Sequence, residues 1–279
     1  MQHVLSTHLF LRHRLTTVWL ERIWHAGFAS VEIFCARQHV DYRDKAQIAE
    51  LGHWFRDSTL TMNSLHAPLF SDDVWGRSGP HAVVDITEPV KARRLVAVEE
   101  TKRAIEIAEE VPFRYLICHL GLPEQEMDER RWDAGFSSLE ELKVFAGQRG
   151  VEVLLENTPN ALSHAERLND FLAITHLNLG YCFDVGHAHM GRGIQCEFNL
   201  MKDRIRSTNI HDNNGKADQH LFPGHGTVDW PKTMELLCSR GDQYPLLLEL
   251  NDVASMEHPV DEARRAIAKL EELSIEYER

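Results

Sequence analysis

The feature that most constrains this chain is an alternation repeated eight times. A short apolar run is followed by a segment whose apolar residues recur at helical spacing. The runs cover residues 4–10, 30–35, 61–66, 114–120, 151–156, 180–185, 206–211 and 245–250. The helical segments cover 16–25, 44–56, 87–110, 131–148, 163–174, a short piece at 199–203, then 230–239 and 259–276. Thr87 is the expected N-cap of the longest helix, with Glu88 and Pro89 in its first turn. Runs such as Val153-Leu154-Leu155 and Leu246-Leu247-Leu248 are apolar on both faces, as a parallel sheet covered by helices requires. The 279 residues are close to the ~250 typical of a closed (β/α)8 barrel. No linker or low-complexity stretch divides them, and no Gly-rich phosphate loop follows the first run, as an open doubly wound sheet would have. The expectation is an α/β fold, one (β/α)8 TIM barrel spanning residues 1–279.

Charge and composition narrow the partners. A formal net charge of −13 disfavours nucleic acid and acidic membrane surfaces. The five cysteines are odd in number, widely spaced and form no C-x-x-C, which fits a reducing cytoplasm. The N-terminus lacks a signal pattern, and no apolar run reaches membrane-span length. The expected partner is a small molecule in the cytoplasm, with assembly into a homo-oligomer left open.

A barrel takes its functional groups from the C-terminal ends of its strands. Those positions hold His66, His119, Glu156, Asp184, His187, His211 and Glu249. The polar loop after the seventh run adds Asp218 and His220, along with Asp212 and His225. A single histidine ending an apolar run is more often a hydrogen-bonded rim residue than a ligand. Glu156 and Glu249 are different, because each directly follows a leucine run and would be costly to bury unpaired. Each must therefore reach solvent at the barrel mouth or meet a cation. Imidazoles and carboxylates without cysteine suit a hard or borderline divalent ion: zinc, manganese, iron, cobalt or magnesium, in one to three copies. Glu32 is read as a substrate contact, as binding a group on the inner side of the cation, or as a rim salt bridge, and His189 as a supporting group behind His187. The long loop 70–80, which carries Asp72, Asp73 and Trp75, is placed over the site, with Trp75 against the substrate.

These residues fall in a set of motifs: Ser64-Leu-His-Ala-Pro68, Cys118-His-Leu-Gly121, Leu154-Leu-Glu-Asn-Thr158, Phe183-Asp-Val-Gly-His187, His211-Asp-Asn213, Pro223-Gly-His-Gly226 running into Val228-Asp-Trp230, and Leu248-Glu249. In these the chain resembles the xylose isomerase-like TIM-barrel superfamily, which joins sugar isomerases and epimerases with endonuclease IV-type apurinic endonucleases. The epimerase branch implies one cation on Glu156, Asp184, His211 and Glu249. There the two glutamates act as the acid–base pair beside a carbonyl, and His187 binds a substrate oxygen. Ketose epimerases place an arginine where this chain has His220. The endonuclease branch implies three zinc ions on His66, His119, Glu156, Asp184, His187, His211, Asp218, His220 and Glu249. Its DNA-wedging Tyr-Leu pair is absent here, where the loop reads Leu69-Phe-Ser-Asp-Asp-Val-Trp75, and Arg37 stands where those enzymes probe DNA. The chain looks most like sugar-phosphate isomerase/epimerase-like proteins. The expectation is a metal-dependent isomerase or epimerase of a small carbohydrate or polyol, with a multi-metal phosphodiesterase as the alternative and a non-catalytic metal- or sugar-binding barrel as a minor one.

Overall fold

The computed structural model describes residues 1–252 and 256–277. Eight parallel strands form one sheet in the order β7-β6-β5-β4-β3-β2-β1-β8. They are β1 (His3–Ser6), β2 (Ser30–Phe34), β3 (Thr61–His66), β4 (Tyr115–His119), β5 (Glu152–Glu156), β6 (Gly180–Asp184), β7 (Ile205–Asn209) and β8 (Leu246–Leu248). The seam between β7 and β8 closes through a parallel bridge of Ile210 with Leu248. The Ile210 amide donates to the Leu247 carbonyl at 2.8 Å, and the Glu249 amide to the Ile210 carbonyl at 3.2 Å. The Thr208 hydroxyl extends the seam, donating to the Pro245 carbonyl at 2.8 Å and accepting from the Leu247 amide at 3.3 Å.

The helices among the described residues are α1 (Thr17–His25), α2 (Lys45–Asp57), α3 (Lys91–Ile105), α4 (Glu129–Gly147), α5 (Ala165–Ile174), α6 (Val185–Met190), α7 (Ile194–Met201), α8 (Trp230–Cys238) and α9 (Pro259–Tyr277). Several start where a carboxylate can satisfy free amides: Asp44 accepts from Ala46 and Gln47, Asp128 from Arg130, and Asp229 from Lys232. Among the described residues, no helix is long and apolar enough to cross a membrane.

Strand alternation divides the side chains between two cores. Leu116, Cys118, Val153, Leu155, Tyr181 and Phe183 face outward into the large core shared with the helices. Tyr115, Ile117, Leu154 and Cys182 face inward and fill the barrel. Two residues beyond three of these inward positions stand His119, Glu156 and Asp184. The period of two therefore delivers them to the mouth on top of an apolar plug.

Several boundaries differ from the sequence-based expectation. The first strand stops at Ser6 rather than running to residue 10, because the Ser6 hydroxyl accepts the His8 amide and starts a 3-10 turn over Thr7–Phe10. Thr87 does not cap a helix: its amide and hydroxyl both donate to Asp85, and α3 begins only after Val90. The single short helix expected at 199–203 is instead two helices, α6 and α7, which begin earlier. The seventh strand ends at Asn209, so His211 stands on the chain beyond it.

Candidate metal centre

The strand ends converge as the alternation requires. Three overlapping groups lie at the mouth, each with its ligand atoms within 4.8 Å of one another: His66 with His119 and Glu156, Glu156 with Asp184 and Glu249, and Asp184 with His187 and His211. A fourth group, His211 with Asp218 and His220, adds the loop between β7 and α8. All nine strand-end and loop residues proposed from sequence as metal ligands are thus brought together. Glu156 and Glu249 are only 1% and 3% exposed, which removes solvent as their partner.

Local backbone chemistry explains the aim of each group. Asp184 ends β6, and its Oδ1 accepts the His187 amide at 2.6 Å, capping α6 and fixing the turn that carries His187. The same oxygen lies 3.1 Å from His211 Nε2. Gly186 makes this approach feasible, since a Cβ there would sit 2.0 Å from the His211 ring. Asn157 spans β5 and β6, donating to the Asp184 carbonyl and accepting the Asp184 amide at 2.9 and 2.8 Å.

The histidine tautomers test whether a cation fits. Nδ1 of His66, His187 and His220 lies 3.0, 3.0 and 3.1 Å from the carbonyls of Ala67, Asn157 and Glu249. A carbonyl only accepts, so each Nδ1 carries a proton, and each Nε2 offers a lone pair whenever the ring is neutral. Those lone pairs face carboxylate oxygens: His66 Nε2 is 3.5 Å from Glu156 Oε2. His187 and His220 Nε2 are each 3.2 Å from Asp218 Oδ2. His119 Nε2 and Glu156 Oε2 are buried 3.3 Å apart without a hydrogen bond between them. Acceptors aimed at acceptors require a proton or a metal ion between them, and carbonyl-oriented imidazoles are the usual support of metal ligands. The donor set fits a divalent cation.

The electrostatic environment separates the two glutamates. Burial alone would raise Glu156, but His119, with His187 and His66, holds it well below the usual carboxylate range. Glu249 is pushed well above that range, first by burial and then by Glu32, Glu156 and Asp184. Burial would lower His187, yet Asp184, Asp218 and Glu156 carry it well above the usual imidazole value.

Some placements differ from expectation. Glu32 lies one layer below the mouth, fully buried, and accepts from the Ser64 hydroxyl at 2.8 Å. Phe34, two residues later, stacks on His66 at the mouth, which leaves Glu32 on the inner side of the cluster, where its charge acts on His66 and Glu249; among the described residues it makes no rim salt bridge. Asp72 turns onto the amides of Gly76 and Ser78, and Asp73 faces Arg77, so neither lines the centre. Arg37 is held by Asp41 and the Ser71 carbonyl. His225 packs on Phe222 outside the cluster, and His189 bonds Thr227. Trp75 does stand beside the centre, 5.3 Å from Phe34, whose ring stacks on His66 at 4.3 Å.

Sequence reasoning missed His8. Its ring lies 4.8 Å from His220, its Nδ1 is held by the Leu250 carbonyl at 3.0 Å, and it groups with His220 and Glu249. Its parity with Val4 and Ser6 was a usable signal, but it was hidden by extending the first strand to residue 10.

The chain is similar to several known proteins. It is 30% identical to the uncharacterised protein MJ1311 of Methanocaldococcus jannaschii over 252 residues, covering 85% of this chain and 79% of that one. A solved D-tagatose 3-epimerase-like protein superposes with a TM-score of 0.79 at 24% identity, covering 100% of both chains. IolI, solved with a bound zinc atom, superposes at 0.75 with 18% identity, covering 99% of both chains. The family model of the xylose isomerase-like TIM barrel matches residues 20–273, and the chain belongs to that family.

Proposed function

We propose that the protein is a metal-dependent isomerase or epimerase that moves a proton at a carbon next to a carbonyl of a small carbohydrate or polyol. The observation that carries this reading is the pair Glu156 and Glu249. They are two buried carboxylates with oxygens within 4.8 Å of each other and of Asp184. Two carboxylates at one centre can supply the acid and the base of a proton transfer. A divalent cation bound by Glu156, Asp184, His211 and Glu249 supplies Lewis-acid polarisation of the carbonyl, which lowers the cost of removing the neighbouring proton.

One of the two glutamates takes that proton and the other returns one. His187 contacts a substrate oxygen. Trp75 and Phe34 form an apolar wall for the carbon face of the substrate and exclude water from it. The relatives that are epimerase-like or zinc-bearing by name support this assignment.

A second reading, phosphodiester hydrolysis by a cluster of cations, is favoured by one observation. Asp218 and His220 add donors that a one-metal proton transfer does not need. Assaying protein purified without chelator on free ketoses, ketose phosphates and an abasic-site oligonucleotide separates the two. Sugar conversion without strand cleavage is expected. Strand cleavage with every sugar unchanged would overturn the proposal.

A further inference from the structure

His220 is one of two non-glycine residues among those described that adopt a positive φ, at 47°. A side chain in the left-handed region is strained and persists only where its surroundings over-determine it. The surroundings here are specific. The Asn251 amide donates to the His220 carbonyl at 2.9 Å, and His220 Nδ1 donates to the Glu249 carbonyl at 3.1 Å. The next residue, Leu221, exchanges two backbone hydrogen bonds of 2.8 Å with Asp212, closing the loop that carries Asp218 and His220.

Asp212 anchors that closure. It is fully buried, and its carboxylate accepts four hydrogen bonds. The Asn213 and Val228 amides reach Oδ1 at 2.9 and 3.1 Å, and the Gly224 amide and Trp230 indole each reach Oδ2 at 2.9 Å. Gly226 completes the fit, because a Cβ there would lie 2.3 Å from Asp212 Oδ1 and 2.4 Å from the Asn213 carbonyl. The Pro-Gly-His-Gly-x-x-Asp-Trp motif is thus the wrapping of one carboxylate, while its own histidine, His225, points elsewhere.

We infer that Asp212, wrapped by Gly226 and Trp230, is a positioning residue that holds His220 in its strained state and so determines whether an outer cation site forms at Asp218. The inference rests on the cation reading given above. Asp212 ligates nothing itself. Without its carboxylate, the segment from Phe222 to Asp229 loses its common anchor, the two main-chain hydrogen bonds between Leu221 and Asp212 lose the support of the turn that follows them, and the His220 backbone relaxes out of the left-handed region. The imidazole then leaves Asp218. The inner donors Glu156, Asp184 and Glu249 stand on or beside strands and keep their places.

The test counts zinc. Chelator-stripped wild type, Asp212→Asn, Trp230→Phe and His220→Ala are reloaded with zinc chloride, desalted and analysed for zinc per chain, with circular dichroism as the fold control. Asp212→Asn is expected to bind roughly one zinc fewer than wild type, matching His220→Ala, because supporting partners of a ligand set change affinity by about 10–100-fold. Trp230→Phe removes one donor of the four, and its most labile zinc should leave about tenfold more readily to a competing chelator. An Asp212→Asn protein with lower thermal stability and an unchanged zinc count would overturn the inference and leave a purely structural role. If Asp212→Asn does not fold, unchanged zinc release from Trp230→Phe overturns it equally. A wild type that binds one zinc also overturns it, since no outer site then exists. A wild type that binds none overturns the cation reading as well.

Discussion

The two halves of the barrel mouth are built differently. Glu156 and Asp184 stand on strand ends and are 1% and 0% exposed, with backbone set by the ladder and an apolar plug beneath them. Asp218 and His220 hang on the loop between β7 and α8, with side chains 38% and 13% exposed. There the geometry depends on a buried aspartate and a strained backbone angle rather than on strand pairing. The strand-borne half is rigid because disturbing it means disturbing the sheet. The loop-borne half is adjustable because its anchor is local. On the proposed reading, proton transfer belongs to the first half, and the second tunes how many cations the mouth holds.

The largest effect separating the halves should come from Glu249→Gln, which keeps the shape and removes the titrating group. Turnover should fall by about 10²–10⁴-fold, measured as kcat on whichever sugar wild type converts. Asp218→Asn should cost far less in the same assay, and an equal loss from both would break the comparison.

Removing metal should come next. Carboxylates and imidazoles stand 3.2–3.5 Å apart at the mouth, and a cation bound among them ties the elements that carry them together. At a hundredfold excess over Kd, binding stabilises by about 2.7 kcal/mol. Chelation should therefore lower the melting temperature by roughly 5–10 °C, read by calorimetry with and without added zinc. No shift would remove the cation from the account.

A smaller effect of opposite sign is expected from His220→Gly. It relieves a left-handed strain worth about 1 kcal/mol that His220→Ala keeps, so the metal-free His220→Gly protein should melt slightly above metal-free His220→Ala while binding as little zinc. Equal or lower stability than His220→Ala would show that His220 is not strained. Trp75→Ala tests the wall beside the strand-borne half. KM should rise about tenfold with kcat little changed, as for a contact made equally in ground and transition states.

The barrel and its strand-borne half were legible in the sequence because both follow from a period of two. Once Leu154 is inward, Glu156 must be inward, and the apolar runs mark where each strand lies. The loop-borne half was legible only as residue types. That Asp218 and His220 meet His187 depends on Asp212, which reads in sequence as one more acidic loop residue and shows its role only through four donors brought from residues 213 to 230. His8 was hidden because the first strand was read to residue 10 while it ends at Ser6, so His8 was assigned to a strand when it faces the centre.

The central claim is that the strand-borne glutamates exchange a proton at a carbon beside a carbonyl. Its most direct measurement is NMR of a panel of ketoses incubated in D2O with zinc- or manganese-loaded protein. The account expects deuterium to enter a carbon adjacent to the carbonyl of at least one sugar with wild type, and no exchange with Glu249→Gln. Wild type that exchanges none of them while cleaving a phosphodiester, or Glu249→Gln that exchanges as fast as wild type, would contradict it.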